Sequence, residues 1–289
     1  MSDPTSQVSK EHADSHYSIG VFDSGIGGLS VLGHIRERLP NESLLYFADS
    51  GFAPYGDKTE SEITTRSLAI AAFLIEKNIK ALVVACNTAT AAAVATLRQR
   101  YPELIIVGIE PGLKPAALQS TSKVVGVIAT QSTLQSQKFT QLRDQLARET
   151  GVQFVSQACV GLVNQIEKGE LHSAETMQLV RRYVAPLLTA GADSLVLGCT
   201  HYPFVRHLIA QVIAENRNTE NAVQLIDTGE AVARHLQRLL EQRTLLNLSL
   251  PSSTNAISVW TSGSATSLHH ALERMLGLTT TQYTVTAIE

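Results

Sequence analysis

Two cysteines stand in matching surroundings that suit a pair of acid–base groups. Cys86 lies in the segment Val83–Thr88 and Cys199 in Val196–His201, and each segment runs from apolar residues through a small residue to a cysteine and two polar residues. A predicted helix follows each cysteine, and a helix amino terminus favours the thiolate form. The alternative for each is a buried filler, the commonest role of a lone cysteine. Cys159 has only apolar neighbours in the sequence and is predicted to be such a filler.

A pair of thiols on opposite sides of one carbon suits the inversion of a stereocentre. Inverting an amino acid at Cα requires one group to remove a proton from one face and another group to return a proton to the opposite face. Without an organic cofactor, the carbanion beside the carboxylate must be stabilised by preorganised donors in a site that excludes water. Suitable donors are Ser24, Asn87, Thr88, Thr130 and Thr200. The residues therefore predict a racemase that uses neither a cofactor nor a metal.

A glycine-rich turn, Asp23–Gly28, follows the first predicted strand. Its glycines lack the G-x-G-x-x-G spacing and no P-loop lysine follows, which disfavours nucleotide binding. We predict that Asp23 meets the substrate ammonium group or assists one thiol, with capping of the following helix as the alternative. His201 is predicted to polarise the thiol of Cys199 or to relay its proton.

Three further positions are less specific. Tyr55 and Gly56 lie in a predicted tight turn that could close over a ligand, although a turn alone explains them equally well. Glu167 lies on a predicted helix, where a glutamate is usually solvated, and the residues around it indicate no role.

Short β-branched runs alternate with helical patterns, which predicts an α/β fold with mostly parallel, buried strands. The predicted strands are Ile19–Phe22, Leu44–Ala48, Ala81–Ala85, Leu104–Val107, Val124–Ala129, Val152–Ser156, Ser194–Leu197, Leu225–Ile226 and Ile257–Trp260. The predicted helices include Leu29–Leu39, Ser61–Lys77, Thr90–Arg100, Thr133–Glu149, Ala174–Leu188 and Phe204–Ile213. Polar residues, among them Asp49-Ser50-Gly51, collect where strands end, and open α/β sheets bind ligands there. The repeated cysteine motif predicts two similar lobes, each a mostly parallel sheet flanked by helices, with the active site at the lobe interface.

Composition excludes several classes of protein. Apolar residues make up 44% of the chain, enough for a packed core, and 17% charged residues are too few for a disordered polyelectrolyte. With a formal net charge of −3, the chain lacks the excess of basic residues that is expected of a nucleic-acid binder. No apolar run approaches the roughly 20 residues that a membrane helix needs. Residues 1–16 are polar and predict a flexible leader, not a signal peptide, so a cytoplasmic protein is expected.

Four segments together resemble the motif set of bacterial glutamate racemases in order and spacing. They are Val21–Val31, Pro54–Gly56, Val83–Ala89 and Leu197–Pro203, and the resemblance runs from about Ile19 to the end of the chain. It implies interconversion of L-glutamate and D-glutamate, with D-glutamate supplied for peptidoglycan. It also implies a chain that returns late to its first lobe, which gives a first lobe of residues 17–110 and 223–289 and a second of 111–222.

The same resemblance implies roles for individual residues and a partner. Cys86 would act on D-glutamate and Cys199 on L-glutamate, with Asp23 and His201 assisting them, and Glu167 matches the spacing of a further acidic residue. The implied substrate contacts are Asp23, Ser24, Tyr55, Gly56, Asn87, Thr88, Thr130, Thr200 and His201. The polar leader resembles that of Gram-negative members, some of which are activated by UDP-N-acetylmuramoyl-L-alanine, and it suggests the same activator here. The sequence leaves the oligomeric state open between a monomer and a homodimer.

Three alternatives remain. A related two-cysteine racemase acting on aspartate or a hydantoin would use the same thiols. A non-catalytic relative, such as a regulatory partner of DNA gyrase, would keep the fold without turnover. A thiol hydrolase would use Cys199 as nucleophile and His201 as base, although residues two apart on a strand-to-helix turn rarely face each other as that pair requires.

Overall fold

A computed structural model describes residues 16–216, 222–248 and 256–288. The predicted leader, apart from His16, lies outside these residues. The chain divides into two compact units. Unit 1 draws its described residues from Met1–Ala53, Thr59–Ile109 and Gly229–Glu289, and unit 2 from Pro54–Lys58 and Glu110–Thr228.

Strands and helices alternate along both units. The strands are β1 Ser18–Asp23, β2 Leu44–Ala48, β3 Ile79–Val84, β4 Ile105–Gly108, β5 Val124–Ala129, β6 Gln153–Ala158, β7 Ser194–Gly198, β8 Gln224–Ile226, β9 Ile257–Thr261 and β10 Tyr283–Ala287. The α-helices are α1 Leu29–Arg38, α2 Glu60–Ile75, α3 Asn87–Arg100, α4 Leu113–Gln119, α5 Gln131–Gln135, α6 Gln137–Thr150, α7 Leu162–Glu167, α8 Ala174–Thr189, α9 Arg206–Glu215, α10 Gly229–Gln242 and α11 Ala265–Leu276. Two short 3₁₀ helices cover Tyr55–Asp57 and Tyr202–Val205.

Each unit is built on one parallel sheet. Unit 1 has the strand order β10-β9-β2-β1-β3-β4, and unit 2 has the order β6-β5-β7-β8. The described strand pairs are all parallel. Central strands such as β2 and β3 are buried along their whole length, as expected when helices cover both faces of a parallel sheet. The predicted α/β class, with two parallel sheets flanked by helices, is confirmed.

The sheets bring the predicted polar residues to the carboxyl ends of central strands. In unit 1, Asp23 ends β1 and Cys86 follows β3 two residues after its end, and both strands lie inside the sheet. In unit 2, Thr130 follows β5 and Cys199 follows β7, which are neighbouring inner strands. Residues that the sequence places at strand ends therefore gather at one edge of each sheet.

All nine predicted strands are confirmed. Two predicted helices differ from the observed ones, since one is interrupted and the other begins later. The helix predicted over Thr133–Glu149 is interrupted at Ser136, whose backbone is extended and whose Oγ accepts a hydrogen bond from the amide of Phe139 at 3.2 Å. Ser136 thereby caps α6 and separates it from α5. The predicted helix Phe204–Ile213 begins as a 3₁₀ turn, and α9 starts only at Arg206. No helix in the described part of the chain is long and apolar enough to cross a membrane.

Asp193, at the amino end of β7, ties together a loop of unit 2. Its carboxylate accepts hydrogen bonds from Ser120 Oγ and from the amides of Thr121 and Ser122, each at 2.7 Å. Burial opposes the charge, but these hydrogen bonds outweigh burial and lower the pKa of Asp193 to about 2. The carboxylate therefore holds the connection between α4 and β5 against β7.

Asp193→Asn is expected to lower the free energy of unfolding by about 1–2 kcal/mol at neutral pH, because the loop amides lose a charged acceptor. The contribution is complete above about pH 4 and is lost as the pH falls through the folded-state pKa of about 2. Urea unfolding at pH 7 and near pH 2 measures this, and the difference from wild type should shrink at the lower pH. Asp144→Asn is the control, since that half-exposed carboxylate pairs only with its neighbour Arg143 in the contacts described. An equal loss in both variants would contradict the prediction.

Candidate active site

Cys86 lies at the amino end of α3 in unit 1. It is the N-cap residue of that helix, and its Sγ accepts a hydrogen bond from the amide of Ala89 at 3.4 Å. The side chain is buried. The sequence prediction that a helix amino terminus follows this cysteine is confirmed, and the helix amides and dipole there favour negative charge on sulfur.

A short chain of polar groups links Cys86 to Asp23. The Cys86 thiol donates to Ser24 Oγ at 3.6 Å, and the Ser24 hydroxyl lies 3.4 Å from Asp23 Oδ1. Asp23 is fully buried, and its Oδ1 also accepts a hydrogen bond from the amide of Gly25 at 2.9 Å. The alternative that Asp23 caps α1 is wrong, because Gly28 is the N-cap residue of that helix and no side chain caps it. The chain of contacts gives Asp23 a route to the Cys86 thiol through Ser24.

The glycine-rich turn allows close packing around Asp23. A Cβ atom on Gly28 would lie 2.5 Å from Asp23 Cβ and 2.8 Å from Tyr46 Oη. The same Tyr46 hydroxyl donates to the carbonyl of Gly25 at 2.7 Å. Gly28 is therefore required by the approach of α1 to the buried carboxylate, which explains this glycine without a bound phosphate.

Asn87 and Thr88 form the first turn of α3 beside Cys86. Both are about 5% exposed. The Asn87 amide nitrogen and oxygen are buried, and neither has a hydrogen-bond partner among the described residues. A buried amide without partners costs stability unless a ligand or an ordered water satisfies it. Asn87 is thus suited to bind a polar group of a small molecule, as the sequence predicts.

Cys199, His201 and Glu167 form a second chain of contacts, in unit 2. Cys199 Sγ lies 3.6 Å from His201 Nδ1, and His201 Nε2 lies 2.5 Å from Glu167 Oε1. Cys199 and His201 are buried, with His201 only 2% exposed, and the Glu167 side chain is partly exposed, at 20%. Sequence alone indicated no role for Glu167, and the structure places it on the far side of His201 from the thiol.

The charge state of His201 follows from these two neighbours. Burial opposes a charge on the imidazole, but the hydrogen bonds and charges of Cys199 and Glu167 outweigh burial and hold the pKa of His201 well above its usual value. A protonated His201 can donate from Nε2 to the carboxylate and from Nδ1 to a thiolate. The arrangement therefore favours proton transfer to and from the Cys199 sulfur.

The position of Glu167 depends on two left-handed glycines. Gly161, at φ 83°, precedes α7, and Gly169, at φ 76°, follows it, so the short helix turns sharply at both ends. Beyond the helix, Thr176 Oγ1 donates to the carbonyl of Glu170 at 2.5 Å. These local features hold Glu167, the last residue of α7, beside His201.

Cys199 differs from Cys86 in its local setting. It is followed by the 3₁₀ helix Tyr202–Val205 instead of an α-helix, so the amino terminus of an α-helix, predicted to favour the thiolate at both cysteines, is present only at Cys86. Thr200 is buried next to Cys199 in the same turn. The Tyr202 hydroxyl is fully buried and lies beside the Cys159 thiol without a well-aligned hydrogen bond to any described group. Burial raises the pKa of Cys159 far above the usual range, as expected for a structural thiol.

Tyr55, Gly56 and Thr130 come together within unit 2. The Gly56 carbonyl accepts a hydrogen bond from Ser132 Oγ at 2.8 Å, and a Cβ atom on Gly56 would lie 3.3 Å from Thr130 Cβ. Thr130 caps α5, and its Oγ1 lies 2.9 Å from Thr133 Oγ1. The predicted tight turn at Tyr55 is a 3₁₀ helix, and it packs against the start of α5.

Comparison with known proteins identifies the family. Residues 19–236 match the Asp/Glu/hydantoin racemase family. A glutamate racemase of Stutzerimonas stutzeri is 54% identical over 81% of this chain and 86% of its own length. The chain belongs to the glutamate racemases. The resemblance seen in the four sequence motifs is therefore confirmed.

Solved structures of this family share the fold. A glutamate racemase of Bacillus anthracis superposes with a TM-score of 0.81 at 33% identity and covers 95% of this chain and 98% of its own. The Escherichia coli glutamate racemase, solved with L-glutamate and the activator UDP-MurNAc-Ala, gives a TM-score of 0.78 at 28% identity, with 94% and 97% covered. Relatives of this similarity support glutamate over aspartate or a hydantoin as the substrate.

Membership of the glutamate racemases also bears on the hydrolase alternative. The argument that residues two apart rarely face each other is wrong for this turn, since Cys199 and His201 are in contact. A glutamate racemase exchanges a proton at Cα and forms no acyl intermediate, so membership of this family disfavours the hydrolase alternative.

Proposed function

We propose that this chain interconverts L-glutamate and D-glutamate without a cofactor, with Cys86 and Cys199 acting on opposite faces of the same Cα. The observation that carries the proposal is the presence of two buried thiols, each with its own chain of acid–base partners: Ser24 and Asp23 for Cys86, and His201 and Glu167 for Cys199. A structural cysteine does not require such a chain.

The proposed reaction of L-glutamate begins with Cys199 as a thiolate. The thiolate removes the Cα proton and becomes a thiol, and the electron pair of the C–H bond moves onto the substrate carboxylate to give an enediolate-like species. The Cys86 thiol then donates its proton to the other face of Cα and is left as a thiolate. Reaction of D-glutamate reverses each step. The protonation states of the two sulfurs are exchanged after each turnover, so each group alternates between base and acid.

The remaining predicted residues would stabilise the intermediate and orient the substrate. Asn87 presents two buried, unpartnered amide atoms beside Cys86. We assign it, with Thr88 and the amides of α3, to a substrate carboxylate, because helix amino termini bind anions. Ser24, Tyr55, Gly56, Thr130 and Thr200 are proposed as further contacts. Such preorganised donors are the main source of stabilisation for a carbanion next to a carboxylate.

The substrate is tested by following optical rotation with L-glutamate and L-aspartate in parallel. We expect kcat/KM for glutamate to exceed that for aspartate by at least about tenfold, because one methylene in a fitted pocket is worth that much or more. The same assay with UDP-N-acetylmuramoyl-L-alanine tests the proposed activator, which should raise the rate. Turnover of aspartate alone would refute the substrate assignment, and no response to the nucleotide would refute the activation. A cytoplasmic enzyme that supplies D-glutamate for peptidoglycan is the role that we propose.

A further inference from the structure

The strand end Asp49-Ser50-Gly51 carries a buried charged group that the proposed reaction does not use. Asp49 is fully buried just beyond β2. Arg66, on α2, holds both carboxylate oxygens: Nε donates to Oδ2 at 3.0 Å and Nη2 donates to Oδ1. Ser262 Oγ donates to Oδ1 at 2.6 Å. Three segments that are distant in sequence therefore meet on this one carboxylate.

The same network fixes the loop that follows β2. The amide of Gly51 donates to Ser262 Oγ at 3.1 Å, and the amide of Phe52 donates to the Asp49 carbonyl at 3.0 Å. The Arg66 guanidinium also lies 5.2 Å from the centre of the Phe52 ring. A Cβ atom on Gly51 would lie 2.3 Å from the Ser262 carbonyl oxygen, so the loop packs against the β9–α11 turn too closely for any side chain.

The network lies at the sheet edge that carries Asp23. The amide of Asp49 donates to the Asp23 carbonyl at 3.0 Å, and the amide of Ser262 donates to the Ala48 carbonyl at 3.2 Å. Asp49 therefore connects the carboxyl ends of β1, β2 and β9. Five residues after Gly51 the chain reaches Gly56, having passed Tyr55, and both are proposed substrate contacts.

Stability alone is a weak reason for this arrangement. Asp49 is fully buried while the Arg66 side chain is 34% exposed, and an ion pair with a buried carboxylate loses much of its Coulombic gain to desolvation. A bidentate arginine–carboxylate pair does, however, impose a specific geometry on the segments that it joins. A geometric role fits the location of Asp49 at the start of a loop that leads to substrate contacts.

We propose that Asp49, held by Arg66 and Ser262, is a positioning residue that fixes residues 49–53 so that Tyr55 and Gly56 reach the substrate. The role of those two residues rests on the proposed function. Loss of the network should weaken binding of both enantiomers in the ground state and the transition state alike, and such a loss raises KM more than it lowers kcat.

The test uses the full chain with Asp49→Asn, Ser262→Ala and a matched control. The control is Glu42→Gln, which breaks the buried Glu42–Lys80 pair of the same unit, joined at 2.5 Å near the amino end of β3. Kinetics with each enantiomer and hydrogen exchange of amides 50–57 are measured in every protein. We expect Asp49→Asn to raise KM roughly tenfold with kcat within about threefold, since misplacing a binding group is costly. Exchange should quicken in 50–57 in this variant but not in the control.

The outcomes separate the positioning role from a structural one. If Glu42→Gln raises KM and loop exchange as much as Asp49→Asn does, or if Asp49→Asn changes neither, the proposal is overturned. If Asp49→Asn does not fold, Ser262→Ala provides the test, because it removes one neutral hydrogen-bond donor and keeps the ion pair. We then expect KM to rise about threefold and amide exchange in residues 50–57 to quicken. Unchanged values of both would overturn the proposal. Failure of the wild type to racemise glutamate would refute the proposed function, while loop exchange would still report whether Asp49 fixes residues 49–53.

Discussion

Replacing Cys86 or Cys199 with alanine is expected to lower kcat for racemisation by roughly a thousandfold, because each thiol is required as base in one direction and as acid in the other. A filler cysteine would behave differently, since its loss would reduce stability and leave turnover intact. Cys159→Ala provides the matched control: that thiol is equally buried, at 4% exposed against 5% and 7% for the other two. Its kcat should stay within about threefold of wild type, as for a residue outside the reaction.

The two variants should differ in which enantiomer still exchanges its Cα proton. With Cys86→Ala, the remaining Cys199 can still deprotonate L-glutamate and return a proton to the same face. Incubation in deuterium oxide should therefore label L-glutamate without inversion and leave D-glutamate unlabelled, and Cys199→Ala should show the opposite. Mass spectrometry of each recovered enantiomer measures the label. Racemisation by Cys86→Ala at the wild-type rate would rule out the two-base mechanism, and equal labelling of both enantiomers would contradict the face assignment.

Hydrophobic patterning was sufficient to predict the inner strands and insufficient at one sheet edge. Strands such as β3 and β7 are buried on both faces and read as continuous apolar runs. The pattern does not predict β10, an outer strand of unit 1 in which Thr284, Thr286 and Ala287 are exposed and only Tyr283 is buried. The run is short and mixed, and only its pairing with β9 makes it a strand.

Part of the candidate site is formed by residues adjacent in sequence, and part by contacts between residues far apart in sequence. The cysteine motifs could be recognised because each thiol and its polar neighbours are adjacent in sequence. The contact of His201 with Glu167 spans 34 residues, and that of Asp49 with Ser262 spans 213. No local pattern predicts such contacts, since they arise when the sheet brings separate strand ends to one edge. The residues around Glu167 predict no role for it and only the family resemblance implies one, and no sequence pattern predicts a role for Arg66.

The second large effect is expected at Glu167. Its carboxylate is one of the two groups that raise the pKa of His201. Glu167→Gln removes that charge, so the pKa of His201 should fall toward its usual value and the imidazolium should be lost at a lower pH. Cys199 is the base in the reaction of L-glutamate, so the alkaline limb of the pH dependence of kcat for L-glutamate should then move to lower pH. We expect kcat itself to fall by about 10- to 100-fold, the range for a weakened acid–base group.

The direction of reaction makes the Glu167 test specific. Because the equilibrium constant between enantiomers is unity, kcat/KM must fall by the same factor in both directions, and only the separate kcat profiles can show which thiol is affected. The limb for D-glutamate, whose reaction begins at Cys86, should move less than the limb for L-glutamate. Glu170→Gln is the control, because Glu170 is exposed on the same loop and only its backbone amide and carbonyl, not its side chain, are engaged in the contacts described. A limb that stays in place or moves to higher pH in Glu167→Gln would show that His201 does not act through the charge of Glu167.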